Sequence, residues 1–149
     1  MKRFLVIPDM VIRERSHEVS VLINLDSIPI ECWCLELCLL QNRLAEELII
    51  STKAIGSKLR VSLAQKALVG RRAVVARETD ETLIQVTNVE LEYWLMWSLK
   101  YYRDGIADVD HIDVEIGAND GDKGFALTLT VGNAQPPVSA EEAKRRLGI

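Results

Sequence analysis

A chain of 149 residues, 48% hydrophobic and 27% charged, has the length and balance of one ordinary globular domain. It can bury a core without disulfides or a structural metal. The formal net charge of −4 argues against a dedicated nucleic-acid binder, and the apolar fraction is too high for a disordered segment.

In chain order, residues 4–7 are continuously apolar, as in a strand buried on both faces. The apolar run behind Lys2 and Arg3 stops at Pro8, short of a signal sequence, and strand is the reading that remains. After a charged stretch, Val19, Val21, Ile23 and Leu25 alternate with Glu18, Ser20 and Asn24, the period of two of a half-buried strand. Over residues 28–55, Trp33, Leu37, Leu40, Leu44 and Leu48 recur at steps of four, three, four and four. That spacing predicts one long, largely buried helix ended at Gly56, although 28–34 also alternate and fit an extension of the preceding strand. Residues 28–40 contain Glu31 and Glu36 and are too few to span a bilayer, so the expected compartment is the cytoplasm.

From Ser57 a second helix is expected, with Leu59, Leu63 and Ala67 on one face and Gly70 as its end. Residues 72–78 and 82–87 read as a hairpin turning at 79–81. Asn88 can cap a third helix, with Glu90 and Glu92 in its first turns, Lys100 and Arg103 in its last, and Gly105 beyond. A second hairpin joins 111–116 to 125–131. Ser139 with Glu142 forms a capping box for a short C-terminal helix. No internal repeat is visible. The sum is an α+β fold, a mainly antiparallel sheet built from hairpins and packed against two or three helices, one of them long and buried.

Catalytic signatures are sparse. Cys32, Cys34 and Cys38 crowd one apolar segment, but C-x-C-x3-C is no standard zinc spacing and only His17 and His111 could complete such a site. Buried packing is the simpler role for these thiols, and no cofactor is implied. Alternation puts His111, Asp113 and Glu115 on one strand face, a set that can bind a metal or exchange protons, or simply form a solvated outer face. The turn at 119–124 lacks the spacing of a calcium loop.

Charge is segregated along the chain. Lys53, Lys58, Arg60, Lys66, Arg71, Arg72 and Arg77 follow one another with no acidic residue between them. Residues 78–122 then carry twelve acidic residues against two basic ones. The two blocks either neutralise each other in the fold or leave a bipolar surface. Lys58, Arg60, Lys66, Arg71 and Arg72 could meet phosphates, yet no aromatic residue lies between Trp33 and Tyr93 to stack a base. Five of the eight aromatics fall in residues 92–102, where Trp94, Trp97 and Tyr101 form a stripe beside Leu91, Leu95 and Tyr102.

Two apolar stripes on one helix mean either a helix covered on two sides or one side open to a partner. The expected function is therefore a small acidic protein-binding domain: an inhibitor, an immunity-type antidote, or a regulatory or adaptor subunit. Trp94, Trp97 and Tyr101 would serve as anchors and Asp108, Asp110 and Asp113 as steering charges. A homodimer fits the same pattern. The alternatives are an enzyme or metal-dependent domain at His111, Asp113 and Glu115, and a nucleic-acid binder at 53–77.

Overall fold

The computed structural model describes residues 1–16, 18–53, 57–64, 75–78, 81–116, 124–135 and 138–149, with backbone alone for 75–78 and 116. Among these residues the chain forms β1 (Lys2–Ile7), β2 (Val11–Glu14), β3 (Glu18–Asn24), α1 (Ile30–Gln41), β4 (Glu47–Thr52) and β5 (Lys58–Leu63). The second half adds β6 (Val75–Glu78), β7 (Glu81–Val86), α2 (Asn88–Asp104), β8 (His111–Ile116), β9 (Gly124–Thr130) and α3 (Ala140–Leu147). The strands make two mixed sheets, one in the order β1-β4-β5-β7-β6 and one in the order β2-β3-β9-β8. Four of the seven pairings are antiparallel and three are parallel. The fold is α+β, as the hairpin pattern implies.

Two of the expected helices are shorter or absent. The long helix over 28–55 is only α1, which stops at Asn42. Arg43 follows in the left-handed region (φ 58°), and a continuing helix cannot pass through that conformation. Residues 47–52 then run as β4, between β1 and β5, with Leu48, Ile49 and Ile50 all buried. A strand buried on both faces has no alternation, so Leu44 and Leu48 happened to extend the helical stripe. The helix expected from Ser57 is instead β5, in which Leu59 and Val61 face inward at a period of two. Its expected continuation, with Ala67 and Gly70, lies outside the described residues. The strand β2 was not foreseen. The cap of α2 is Thr87, one residue ahead of Asn88, while Gly105 (φ 69°) closes the helix as expected. Ser139 caps α3 by accepting from the Glu142 amide, and no α3 residue is buried.

The topology contains a repeat that the sequence conceals. Hairpin, helix and hairpin occur as β2-β3-α1-β4-β5 and again as β6-β7-α2-β8-β9. Each sheet joins the second hairpin of one unit to the first hairpin of the other, through the parallel pairings β5–β7 and β3–β9. Exchanging the units converts one sheet into the other, so the fold has an approximate two-fold in its topology. The registers agree, since Lys58 opposite Glu81 corresponds to Gly124 opposite Glu18. Two elements have no counterpart among the described residues: β1, which lies parallel to β4 at the edge of the five-stranded sheet, and the C-terminal α3.

The helices follow the same relation. Trp33, Cys34, Leu37 and Leu40 are buried in α1, and Trp94, Leu95, Ser98 and Tyr101 are buried at the same spacing in α2. The two helices pack on one another, and one continuous apolar cluster takes in Trp33, Trp94, Leu48, Ile50, Leu59, Ile84, Phe125 and Leu127 from both sheets. The indole of Trp33 donates to the Ser98 hydroxyl at 3.0 Å, and Ser98 donates to the Trp94 carbonyl at 2.7 Å. The corresponding acceptor for Trp94 would come from position 37, which is leucine. The Trp94 indole nitrogen has no hydrogen-bond partner.

Two polar clamps tie helices to strands. Arg3 on β1 makes a two-pronged bond to the buried Glu36 of α1, at 2.9 and 2.8 Å. The Tyr101 hydroxyl donates to Asp26 at 2.7 Å, and the other Asp26 oxygen accepts from the Gly132 amide just beyond β9. A Cβ at Gly132 would sit 2.8 Å from that carboxylate oxygen, so a larger residue there would displace the Asp26 side chain. No helix among the described residues is long and apolar enough to cross a membrane.

Candidate functional site

The aromatic segment folds as α2, and the fold decides which of its stripes faces out. Trp94 is 1% exposed and Tyr101 9%. Both point into the core, and the Tyr101 phenol is pushed upward in pKa by burial and then by the Asp26 carboxylate. Trp97 is half-buried and stacks on Tyr101, with ring centroids 6.4 Å apart. The outward stripe is made by the neighbours Tyr93, Met96, Leu99 and Tyr102, of which Met96 is 59% exposed. With Trp97, Lys100 and Arg103 they line an open depression of about 590 Å³ along the helix. On α1, Cys32 and Leu35 are exposed. Both stripes read from the sequence turn inward, with Leu91 and Leu95 buried as well as Trp94 and Tyr101; of their members only Tyr102 joins the outward group, and Tyr93, Met96 and Leu99 belong to neither stripe.

The acidic residues are less free than their sequence suggests. Asp108 pairs with Lys100 at 2.9 Å, and Asp110 bonds His111 Nδ1 at 2.6 Å. Asp113 accepts from the Thr128 hydroxyl and lies 3.6 Å from His111 Nε2. The imidazole pKa is raised, chiefly by the hydrogen bond to Asp110. His111, Asp113 and Glu115 are all exposed along β8. Two of them, Asp113 and Glu115, join Val114 and the α2 residues Val89, Glu90 and Tyr93 around a second depression of about 360 Å³. From the sequence Glu90 reads as a first-turn carboxylate serving the helix dipole and as the start of the acidic run; its place in this depression is set by the fold.

The basic block divides. Lys58 and Arg60 lie on the outer face of β5, with Lys58 directly opposite Glu81. Arg60 reaches Glu81 at 2.8 Å and Glu47 at 3.7 Å, and Glu47 also stands 3.9 Å from Lys2. Basic and acidic blocks thus meet across the β5–β7 pairing. Lys66, Arg71 and Arg72 lie outside the described residues, as do His17 and the turn at 119–123. Of the thiols, Cys34 is buried and pushed up to about 11, Cys38 is half-buried and Cys32 is exposed. A thiol held that far from ionisation is a poor nucleophile at neutral pH.

The chain matches no protein-family model and no curated protein, so its function has to be read from this geometry.

Proposed function

We propose that this chain is an acidic protein-binding domain that acts by occupying a basic protein partner rather than by catalysis, in the manner of an inhibitor, an immunity-type antidote or a regulatory subunit of the cytoplasm. The observation that carries the reading is the outward stripe of α2, where Tyr93, Met96, Leu99 and Tyr102 stand together in solvent. Aromatic and methionine side chains in a contiguous exposed group are what partner surfaces use, because they bury much area at small entropic cost. Glu90, Asp113 and Glu115 adjoin the stripe at Tyr93, and the cations along it, Lys100 and Arg103, are paired with Asp108 and Asp104, which favours a partner of opposite charge and fast encounter. The anchors proposed from the sequence contract to Trp97, because Trp94 and Tyr101 already serve the core.

The test is affinity capture from the native host's lysate at low and high salt, with wild-type chain and a Met96→Ser/Tyr102→Ser variant side by side. The expected result is one stoichiometric partner, weakened by salt and lost with the variant. A partner retained equally by the folded variant, or no stoichiometric partner at either salt, would overturn the assignment of this surface.

A further inference from the structure

The approximate two-fold gives a way to ask what the edge of β8 is for. In the five-stranded sheet the outer side of β4 is covered by β1, parallel and in register from Lys2 opposite Glu47 to Ile7 opposite Thr52. The mate of β4 is β8. Glu47 stands opposite Ser62 in the β4–β5 pairing as Asp113 stands opposite Thr128 in the β8–β9 pairing. Among the described residues no strand covers the outer side of β8. The Val131 amide donates to the Asp110 carbonyl at 2.9 Å. Continuing that antiparallel alternation turns the amides of residues 112 and 114 towards β9 and those of His111, Asp113 and Glu115 outward.

The chemistry beside this edge is specific. In β1, Lys2 faces Glu47 and Arg3 reaches Glu36 on α1. By the burial pattern, the position of Glu36 in α1 corresponds to Trp97 in α2, which is only half-buried. A strand laid on β8 as β1 lies on β4 would set alternate residues against Asp113 and Glu115 on the outer side, and the residue between them towards Val114 and Tyr93. The depression there also holds Glu90, one of whose oxygens is inaccessible to solvent and without a hydrogen-bond partner. No Lys or Arg forms an ion pair with Glu90, Asp113 or Glu115 among the described residues.

We propose that the β8 edge receives an extended segment of a partner protein as a fifth, parallel strand, with basic residues at alternate positions facing Asp113 and Glu115 and apolar residues between them facing Val114 and Tyr93. Strand addition supplies affinity through the main chain, while the alternating side chains supply selection. The inference deepens the protein-binding reading by naming the partner's chemistry, and the two surfaces meet at Tyr93, which lines both depressions.

The probe is a blocked peptide, Gly-Lys-Val-Lys-Val-Lys-Gly, titrated to millimolar concentration against the isotopically labelled full chain, with Gly-Glu-Val-Glu-Val-Glu-Gly as its control. Amide shifts and hydrogen exchange are read residue by residue. The lysine peptide is expected to move the amides of His111, Asp113 and Glu115 and to slow their exchange at least tenfold, while the glutamate peptide does neither. In an Asp113→Lys/Glu115→Lys variant the preference should reverse. These outward amides being protected before any peptide is added, which would mean that the chain covers its own edge, overturns the proposal. So does equal binding of both peptides, or a response confined to residues other than β8. Failure of the Met96→Ser/Tyr102→Ser test with a positive peptide result removes the helix surface and keeps the strand site. The opposite pair of results keeps the helix surface and removes the strand site.

Discussion

Replacing Ser98 by alanine tests the pairing of the two buried tryptophans. Ser98 is fully buried and Trp33 is 1% exposed, so the indole N–H that loses its 3.0 Å acceptor has no route to water without repacking. Leaving a buried donor unsatisfied costs about 1–3 kcal/mol. Alanine returns roughly 0.5 kcal/mol through its higher helix propensity, so the net loss is about 0.5–2.5 kcal/mol. With a urea dependence of about 2 kcal/mol per molar, suited to a chain of this size, the unfolding midpoint should fall by roughly 0.25–1.25 M at unchanged slope. The assay is equilibrium urea unfolding followed by tryptophan fluorescence and circular dichroism together. A paired comparison sharpens it. Trp33→Phe discards a satisfied N–H, whereas Trp94→Phe discards one that has no partner. The first should cost about 1–2 kcal/mol more than the second for the same loss of volume. A Ser98→Ala midpoint within error of wild type, or equal losses at the two tryptophans, would refute the reasoning.

Three further outcomes are expected. The raised His111 pKa means that its contribution to stability is fully present below the ordinary histidine value of 6.5 and is lost as pH rises through the folded value. Asp110→Asn should lower the His111 pKa in a proton NMR titration, and an unchanged midpoint would show that the 2.6 Å contact does not act in solution. Thiol labelling at pH 8 should be fast at the exposed Cys32 and should reach Cys34 only on unfolding; a Cys32→Ser variant that keeps the fast phase contradicts this. Gly105→Ala should cost about 1 kcal/mol by thermal or urea melting, because the residue holds φ 69° beyond α2; no measurable loss would mean that the helix end rearranges freely.

Much of the candidate surface was legible only as a set of possibilities. Helix α2 could be read from its periodicity, its acidic start and Gly105, and the 111–116 hairpin arm from its alternation. Which stripe of α2 would be buried could not be read, because Trp94 and Met96 are both apolar and the choice is made by what packs against each side. Likewise Arg60 reads as part of a basic run until Glu81, twenty-one residues on, is paired beside it by the parallel β5–β7 contact. Segments 47–52 and 58–63 were misread for different reasons: 47–52 is buried on both faces and shows no period of two, whereas 58–63 alternates over too few residues to stand out from a helical stripe.

Local physics in the sequence determined the α+β class, the hairpins at 72–87 and 111–131, the stop at Gly105, and the segregation of charge. Each of those depends on residues within a few positions of one another. The tertiary structure alone decided the two-sheet arrangement, the repeat hidden in it, the neutralisation of Arg60 and the outward face of α2. Those depend on contacts between segments distant in sequence, such as Trp33 with Ser98, Asp26 with Tyr101 and β3 with β9, whose partners no local pattern specifies.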